Sequence, residues 1–322
     1  MTLTQLRYLA AIVQNNLNIT AAANKLHTSQ PGVSKQLKLL EDELGFPIFE
    51  REGRNLIAVS SAGSEVVSRA VHILEEVSNI RRISQDVKEQ GKGSLSIGTT
   101  ATQARYVLPK IVQAFRAKYP EVELHVHLGS SEQISDLARQ DRVDLAIATG
   151  SSELFPGLAL LPCFQWHRRV VVPNGHPLLL NKRVALADIA RFPIVTYTFS
   201  FHGASSLPAI FESAGLSLNV ALTATDADVI KTYVRLGLGV GIIASMAVDE
   251  DDDLVAIDAD HLFAAHTTWV GFPRGRVLRR YVRDFMKLVA PHLDRRLVDD
   301  SIRAANREAV AELFSGISLP VY

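Results

Sequence analysis

Two short helices around a tight turn, between Ile19 and Gly45, constrain the fold of this chain more than any other feature of its sequence. Thr20 is expected to cap the first helix, because its hydroxyl can accept hydrogen bonds from the free N–H groups of the first turn. Ser29 is expected to cap the second helix, which carries Pro31 in its first turn, where a missing N–H costs nothing. The second helix has an apolar stripe at helical spacing, formed by Val33, Leu37 and Leu40.

The remaining faces of the second helix are polar and basic, as the major groove of DNA requires. Glutamine can pair with a base edge, and serine and lysine contact bases or phosphates. An apolar helix pattern runs from Leu3 to Val13, and the segments Phe46–Glu52 and Asn55–Ser60 alternate like the two strands of a wing. These elements together predict a winged helix-turn-helix rather than an ordinary amphipathic hairpin. The residues expected to contact DNA are Thr28, Ser29, Gln30, Pro31, Ser34, Lys35, Lys38, Arg51 and Arg54.

The charge of the chain is distributed unevenly. Its formal net charge is zero, but the stretch Leu17–Leu40 contains three lysines and no acidic residue. We therefore expect DNA affinity to come from a local patch that dimerisation doubles. A length of 322 residues with 47% hydrophobic content is enough for more than one core, which suits a small DNA-binding domain joined to a larger domain.

The single cysteine and the lack of a visible secretory signal both favour a reducing compartment. Cys163 is the only cysteine, which excludes an intramolecular disulfide and a cysteine-rich metal cluster. Residues 1–20 lack the basic start, apolar run and small-residue cleavage site of a secretory signal. No apolar run approaches the ~18 residues that span a bilayer. We expect a cytoplasmic protein with no membrane partner.

A long helix is predicted from Ser61 to Gln90, where apolar residues recur at helical spacing. Such a stripe would be left exposed on one domain, and pairing two copies buries it, so it favours a homodimer. Packing against the chain's own second domain is the alternative. The glycines in Gly91–Gly93 end the helix and form a hinge. The predicted domains are 1–60 for DNA binding, 61–93 for the dimerising linker helix and hinge, and 94–322 for effector binding.

Strands alternate with helices from Leu95 onward, which predicts mostly parallel sheets with helices on both faces. One of these helices is predicted over Ala104–Lys118. The succession divides into a first lobe at about 94–163 and 267–293, and a second lobe at about 164–266. Residues 294–322 form a tail, predicted as a polar helix through Leu313 with an apolar end that docks on a neighbouring subunit.

The sequence resembles the LysR-type transcriptional regulators over essentially its whole length. The resemblance is carried by Thr20–Gly45 and by FERE followed by S-x-A-G, at Phe49–Glu52 and Ser60–Gly63. The stretches GTTATQARYVLP, VTYTFSF and TATDADVIKTYVRLGLGVGIIASMAV, within 98–248, resemble the CysB-type branch for the cysteine regulon and sulfonate utilisation. The resemblance implies a two-lobed α/β effector domain similar to type 2 periplasmic binding proteins. It also implies double-stranded promoter DNA as partner and a homo-oligomer that is a dimer of dimers, and it allows RNA polymerase as a further partner.

A ligand site is expected where strands end and helices begin. In open α/β sheets, ligands bind beyond the carboxyl ends of strands, and the turn after Gly98 offers hydroxyls, an amide and free N–H groups that favour a small anion. A plain helix cap is the alternative, and similarity to the Thr-Thr-x-Thr-Gln motif of the CysB type favours the anion site. The residues expected to bind the effector are Thr99, Thr100, Thr102, Gln103, Thr149, Trp166, Thr196, Thr198, His202 and Thr225.

The chain departs from the family pattern at three positions within these two motifs, Ala101, His202 and Ala204. Where relatives carry Phe-Thr-Gly-Arg-Ser, it has His202 and Ala204, and Ala101 replaces the usual histidine. Loss of the arginine removes a planar donor fork for a carboxylate or sulfate, which a protonated His202 would replace below its pKa. The resemblance implies a sulfur-related effector such as sulfate, N-acetylserine, O-acetylserine or adenosine phosphosulfate, with no cofactor. A small carboxylate unrelated to sulfur is the alternative.

An α/β enzyme and a periplasmic solute-binding protein are the competing classes. The chain has no nucleophile elbow, phosphate loop or zinc helix, and the glycines of Leu236–Gly241 follow a helix, the wrong order for a dinucleotide site. His125 and His127 share a strand face, but an exposed strand pair explains them better than a metal site. The missing signal and the extra DNA-binding module argue against a solute-binding protein. We therefore predict no catalytic residue and no metal ligand.

Overall fold

The structure is a computed structural model that describes residues 1–53, 55–88, 91–201, 206–249, 253–304 and 306–322. Two compact units divide the chain, Met1–Lys88 and Glu89–Tyr322. No helix in the described part of the chain has the length and apolar character that crossing a bilayer demands.

The first unit is a winged helix-turn-helix followed by a long helix, as the sequence predicts. Leu9, Ile12, Val33 and Leu40 are among the residues that form its buried core. The elements are, in chain order, helices α1 (Leu3–Gln14), α2 (Ile19–Lys25) and α3 (Gln30–Leu44), strands β1 (Phe49–Glu52) and β2 (Asn55–Val59), and helix α4 (Ser61–Lys88).

The caps of the two helices in the helix-turn-helix differ in how well the sequence predicts them. Asn18, and not Thr20, caps α2: its side chain accepts the N–H of Ala21 at 2.9 Å, so the prediction for Thr20 is wrong by two residues. The reason is that Asn is as good a cap as Thr, and the helix begins one residue before the threonine. Ser29 caps α3 as predicted, accepting the N–H of Gly32, and proline lies in the first turn.

Glu41, near the end of α3, holds the wing against this helix. Its carboxylate accepts the N–H groups of Ile48 and Phe49 at 2.9 and 3.3 Å, and forms an ion pair with Arg51 at 2.8 Å. Strands β1 and β2 then pair antiparallel. One carboxylate therefore satisfies the backbone that enters the wing and fixes the first wing strand relative to α3.

Helix α4 changes its environment along its length. Its first half packs on the core of the unit through Val66, Ala70 and Leu74. Its second half exposes apolar side chains to solvent: Ile80 is 65% exposed and Val87 is 71% exposed. The predicted apolar stripe therefore divides into a half that is covered within the unit and a half that is not.

The second unit consists of two lobes, each built on a five-stranded sheet. The first lobe begins with β3 (Gly93–Thr99), α5 (Ala101–Tyr106), α6 (Leu108–Lys118), β4 (Val122–Leu128), α7 (Ser131–Arg139), β5 (Leu145–Thr149) and β6 (Leu158–Trp166). The second lobe contains β7 (Arg168–Pro173), α8 (Leu186–Ile189), β8 (Ile194–Tyr197), α9 (Leu207–Ser213), β9 (Val220–Ala224), α10 (Ala227–Arg235), β10 (Val240–Ala244) and β11 (Leu254–Asp258). The chain then returns to the first lobe with β12 (His266–Pro273) and α11 (Arg280–Val289), and ends with α12 (Arg295–Arg303) and α13 (Arg307–Phe314).

The two sheets are mixed rather than purely parallel. The strand order is β4-β3-β5-β12-β6 in the first lobe and β11-β7-β10-β8-β9 in the second. β3 runs parallel to β4 and β5, whereas β12 runs antiparallel to β5 and β6. The chain crosses from the first lobe to the second between β6 and β7, and crosses back before β12, so both crossings lie beside the carboxyl end of β5.

The predicted helix over Ala104–Lys118 is two helices. α5 begins at Ala101 and α6 begins at Leu108, with Pro109 in the first turn of α6. Proline has no N–H to bond to the carbonyl of Arg105, so the helical ladder is interrupted there. Because α5 begins at Ala101, Thr102 and Gln103 lie within its first turn instead of in a loop before a helix.

The tail packs on its own chain. The long helix predicted through Leu313 is broken into α12 and α13, and the apolar end beyond them lies along β6. The N–H of Gln165 donates to the carbonyl of Pro320 at 2.8 Å, and the N–H of Tyr322 donates to the carbonyl of Gln165 at 2.9 Å. The ring of Tyr322 lies 4.6 Å from that of Phe164. The tail therefore extends the edge of the first sheet.

Candidate functional site

The predicted DNA-contacting residues of the helix-turn-helix lie together at the start of α3. Thr28 and Ser34 are half-buried. Gln30 donates from Nε2 to the Ser34 hydroxyl at 3.0 Å, so its amide lies along the helix surface toward the next turn. The side chains in this group that are exposed are those of Ser29, Gln30, Pro31, Lys35 and Lys38.

Two arginines, Arg51 and Arg54, are predicted to contact DNA from the wing. Arg51 is exposed on β1, and its guanidinium is already paired with Glu41 at 2.8 Å. A phosphate would therefore compete with this carboxylate for Arg51. Arg54 lies outside the described residues.

A cavity opens between the two lobes of the second unit. Its empty volume is about 260 Å³, including the space at its mouth. Five of the predicted effector residues line it from the first lobe, and residues that the sequence did not suggest line it from the second. The lining consists of Thr100, Thr102, Gln103, Thr149 and Trp166 from the first lobe and Tyr197, Phe199, Ala244 and Met246 from the second.

Thr149 is the centre of the hydrogen-bond network on the first-lobe side of the cavity. Its hydroxyl oxygen accepts from Gln103 Nε2 and from Trp166 Nε1, each at 3.1 Å. It lies 2.8 Å from the Thr268 hydroxyl, which also accepts from Gln103 Nε2 at 3.1 Å. Because both lone pairs of Thr149 are used, its own proton is left for Thr268. The network fixes the orientation of the Gln103 amide and of the Trp166 indole.

Aromatic rings form much of the remaining wall. Trp166 is 3% exposed and stacks on His266, with centroids 4.6 Å apart and planes inclined by 26°. Across the cavity, Tyr197 stacks on Phe199, with centroids 4.7 Å apart. The hydroxyl of Tyr197 accepts the N–H of Ala244 at 3.2 Å. These contacts make both aromatic walls rigid.

The described lining residues of this cavity carry no formal charge. Burial raises the pKa of Tyr197 to about 12, so the phenol stays protonated. Burial also lowers the pKa of His266 to about 3, with further lowering by Arg168 and His167, so the ring behind Trp166 is neutral. A ligand therefore meets hydroxyls, amides and aromatic faces rather than a countercharge.

Four other predicted effector residues lie elsewhere. The Thr99 hydroxyl is buried and donates to the carbonyl of Ile147 at 2.9 Å, and the Thr196 hydroxyl is buried and donates to that of Ile242 at 2.9 Å. Both hydroxyls therefore tie neighbouring strands of one sheet together. Thr198 and Thr225 are exposed and do not line the cavity. His202 lies outside the described residues.

Sequence reasoning missed Thr268 and the second-lobe lining of Tyr197, Phe199, Ala244 and Met246. Thr268 lies on β12, about 120 residues along the chain from Thr149, opposite it in register. The motif VTYTFSF contains Tyr197 and Phe199, but only its threonines are predicted to bind the effector, because polar groups suggest a ligand more readily than aromatic ones do. Tyr197 is the last residue of β8, at the strand end where ligands bind, and this position is the signal that would have found it.

No cluster of three or more potential metal-ligating side chains occurs among the residues that the structure describes. His125 and His127 lie two residues apart on the same exposed face of the edge strand β4. The Nε2 of His125 lies 3.8 Å from Glu123 Oε2. This pair is an exposed strand face, which matches the interpretation that the sequence favoured.

Comparison with known proteins places these two units in one family. Residues 3–64 match the model of the bacterial regulatory helix-turn-helix proteins of the lysR family, and residues 88–294 match the LysR substrate binding domain. The chain is 48% identical over 320 residues, covering 99% of both chains, to the HTH-type transcriptional regulator CysB of Haemophilus influenzae. It is 43% identical over 307 residues, covering 95% of this chain and 100% of the relative, to the regulator SsuR of Burkholderia cenocepacia.

A solved structure gives the same result for the second unit. The cofactor-binding domain of the Cbl transcriptional regulator is 37% identical, covers 68% of this chain and 94% of that domain, and superposes with a TM-score of 0.61. The relatives are named as transcriptional regulators and not as enzymes, so the enzyme alternative gains no support from them. The chain belongs to the LysR family of bacterial helix-turn-helix regulators, and within it to the CysB-type branch.

Proposed function

We propose that this regulator responds to a small sulfur-related anion held in the cavity between its lobes, and controls genes of sulfate uptake, cysteine synthesis or organosulfur use. One observation carries the proposal. Uncharged hydrogen-bond donors at the start of α5 face aromatic side chains of the other lobe across one cavity, in a chain 48% identical to a CysB regulator. The exposed polar and basic residues of α3 would bind the promoter DNA whose genes respond to the effector.

The first turn of α5 supports an anionic ligand. Thr100 stands at the N-cap of α5, but its side chain makes no capping hydrogen bond. Its hydroxyl and the N–H groups of the first turn can therefore bond to a ligand. The Thr102 hydroxyl makes only a long contact of 3.5 Å with Tyr197. A small anion would be stabilised here by oriented dipoles, as at other helix N-termini.

The size of the cavity favours compact ligands. A volume of about 260 Å³ lies below the range of about 300–1,000 Å³ that is typical of pockets for drug-sized molecules. Sulfate, N-acetylserine and O-acetylserine fit this size better than adenosine phosphosulfate does. The aromatic walls of Trp166 and Tyr197 would exclude water around the bound group and so strengthen each hydrogen bond to it.

We further propose that the regulator acts as a homo-oligomer, a dimer of dimers. The second half of α4 supports this, since Ile80, Ile83 and Val87 lie on its surface and are at least half exposed. A stripe of this kind on a long helix is buried when two copies pair. With three lysines and no acid between Leu17 and Leu40, two or more DNA-binding units would share the work of holding the duplex.

Thermal unfolding of the full chain with each candidate ligand tests the effector site. A ligand that binds the folded state raises Tm, so at least one of sulfate, N-acetylserine, O-acetylserine and adenosine phosphosulfate should raise it. Thr100→Val should abolish that rise, because it removes a hydroxyl that faces the cavity without a structural bond. Thr225→Val is the matched control, since Thr225 is exposed and lies away from the cavity.

The outcomes separate the alternatives. Equal stabilisation of wild type and Thr100→Val would overturn the assignment of the site. Stabilisation by a carboxylate that is unrelated to sulfur metabolism, and by none of the four candidates, would overturn the sulfur assignment and favour the unrelated carboxylate.

A further inference from the structure

One short helix touches both the cavity and the opposite lobe. The first turn of α5 holds Thr102 and Gln103, which line the cavity. Its last turn faces α10 of the second lobe. There Tyr106 Oη donates to Asp228 Oδ1 at 2.5 Å, and Arg105 Nε lies 2.5 Å from Asp228 Oδ2. The two ends of α5 therefore join the ligand site to a contact between the lobes.

Lys231 fixes the acceptor of this contact. It lies one turn after Asp228 on α10 and is only 3% exposed. Its Nζ lies 3.3 Å from Asp228 Oδ1 and 2.8 Å from Asp249 Oδ2, and it donates to the carbonyl of Ala247 at 3.2 Å. A buried ammonium is tolerated only when such partners replace its water. We call this group the lobe clasp, and it consists of Arg105, Tyr106, Asp228, Lys231 and Asp249.

The protonation states match the hydrogen bonds of the lobe clasp. Burial and the bond to Asp228 raise the pKa of Tyr106, so its hydroxyl remains a donor. Burial alone would lower the pKa of Lys231, but its bonds to Asp249 and to Tyr106 raise the pKa above its ordinary value. The Nζ of Lys231 also lies 5.2 Å from the centroid of the Tyr106 ring, within the range of a cation–π contact. Every polar group of the clasp thus has a charge-matched neighbour at neutral pH.

We propose that the lobe clasp couples occupancy of the cavity to closure of the two lobes, so that Tyr106 and Asp228 set effector affinity without touching the effector. This inference rests on the proposed function, because it takes the cavity as the effector site. A ligand that contacts both walls binds best when the lobes are held at this separation, and only interactions present in that arrangement favour it. At the cavity itself the Thr102 and Tyr197 hydroxyls are 3.5 Å apart, too far for a strong hydrogen bond. The clasp is the stronger side-chain link on this side of the cleft.

Tyr119 provides a matched control. Its Oη donates to Asp284 Oδ2 at 2.5 Å, the same pairing at the same distance, but between α6 and α11 within the first lobe. Tyr119→Phe should therefore cost stability as Tyr106→Phe does, without altering the relation between the lobes. Any difference between the two variants in ligand affinity then reports on the position of the bond rather than on its loss.

The experiment measures the Kd of the full chain for each of the four candidate effectors by isothermal titration, with sulfate as the first probe and N-acetylserine as the second. Tyr106→Phe is expected to weaken binding about tenfold, the effect of losing one hydrogen bond to a charged group. Asp228→Asn should weaken binding at least as much, because it also removes the charge that pairs with Arg105 and Lys231. The double variant should bind no more weakly than about Asp228→Asn alone, because the Tyr106 bond belongs to the same contact. Tyr119→Phe should leave the Kd unchanged.

The results distinguish this inference from the proposed function. If wild type binds a probe and Tyr106→Phe binds it equally well, the coupling is overturned while the effector site stands. If Tyr119→Phe weakens binding as much as Tyr106→Phe, general destabilisation explains both and the clasp has no special role. If wild type binds none of the four candidate effectors, the proposed function fails, and this inference fails with it.

Discussion

Trp166 shows how a single residue of the site is held in position by its neighbours. One edge of its indole donates to Thr149, and one face stacks on His266. The Nε2 of His266 is buried and has no hydrogen-bond partner in the described part of the chain. A histidine in such surroundings packs as a neutral aromatic ring, and protonation would place an unpaired charge next to Arg168.

This environment predicts that stability depends on pH through His266. The folded-state pKa is lowered from 6.5 to about 3, mainly by burial. Between these values the unfolded chain binds a proton that the folded chain does not, so the free energy of unfolding falls as pH drops below about 6.5. One such group contributes a slope of up to about 1.4 kcal/mol per pH unit.

Urea unfolding of wild type and His266→Phe from pH 7 to pH 4 measures this contribution. Phenylalanine keeps the stacking surface for Trp166, so the two proteins should be of similar stability at pH 7, and the variant should lose less stability at pH 4. Parallel pH profiles would show that His266 is already protonated or solvated in the folded state.

At the scale of residues, the sequence predicts the first-lobe lining of the cavity, including Trp166, and not the second-lobe lining. Thr100, Gln103 and Thr149 follow neighbouring parallel strands, whose carboxyl ends necessarily meet, so their convergence follows from strand order. Ala244 and Met246 line the cavity because of where the two lobes face each other, which no local pattern encodes. For Thr99 and Thr196 the motif is present, but β-sheet geometry turns their hydroxyls onto neighbouring carbonyls.

At the scale of elements, the junction between the wing and α4 is the most tightly determined part of the first unit. The Ser60 hydroxyl accepts the N–H of Gly63 at 3.0 Å and donates to the carbonyl of Pro47 at 2.9 Å. A Cβ placed on Gly63 would lie 2.1 Å from the carbonyl oxygen of Ile48. The S-x-A-G motif therefore marks a point where only glycine lets α4 approach the backbone before β1.

Gly63→Ala should destabilise the DNA-binding unit. The obstructing atom is a backbone carbonyl that cannot rotate away, so overpacking should cost about 1–3 kcal/mol. Thermal unfolding of the full chain measures this cost as a fall in the Tm of the transition in which the DNA-binding unit unfolds. Ala62→Gly, at the exposed neighbouring position, is the control for altered helix propensity, and equal destabilisation by the two changes would contradict the close-approach argument.

Prediction of elements fails at helix breaks and at strands without alternation. The interruption between α5 and α6 depends on a proline whose effect on its neighbours is local, and the periodicity of the apolar residues continues across it. β6 is buried on both faces, and β11 has three half-buried residues in succession, so neither shows the period of two that identifies a half-buried strand. The strands that the sequence does predict are those that alternate with helices.

At the scale of the whole molecule, the exposed half of α4 predicts self-association. Ile80 and Ile83 are 65% and 50% exposed, and burying such side chains against a second copy contributes about 1.5–3 kcal/mol each. Ile80→Glu combined with Ile83→Glu should shift the sedimentation coefficient of the full chain toward a smaller species. Val229→Glu, an exposed position on α10, is the comparison for an added surface charge. A wild type that sediments as a monomer would contradict the proposed oligomer.

Regulation by an effector requires that ligand binding in the cavity and DNA binding by α3 belong to one linked equilibrium. A ligand shifts DNA affinity only as far as its own affinity differs between the two arrangements of the protein, and the coupling is reciprocal. Thr100 and Lys35 lie at the two ends of this linkage. A change at Thr100 should remove the ligand response and leave basal DNA binding, whereas a change at Lys35 should weaken DNA binding and leave ligand binding.

The most direct measurement is the Kd for a promoter fragment selected by the full-length protein, at fixed salt, with and without the ligand that raises its Tm. The account predicts that the ligand changes the Kd of wild type by about fivefold or more, that Thr100→Val has the same Kd as ligand-free wild type under both conditions, and that Lys35→Ala binds DNA more weakly but retains the ligand-induced change. A ligand-induced change of the same size in Thr100→Val as in wild type would contradict the account.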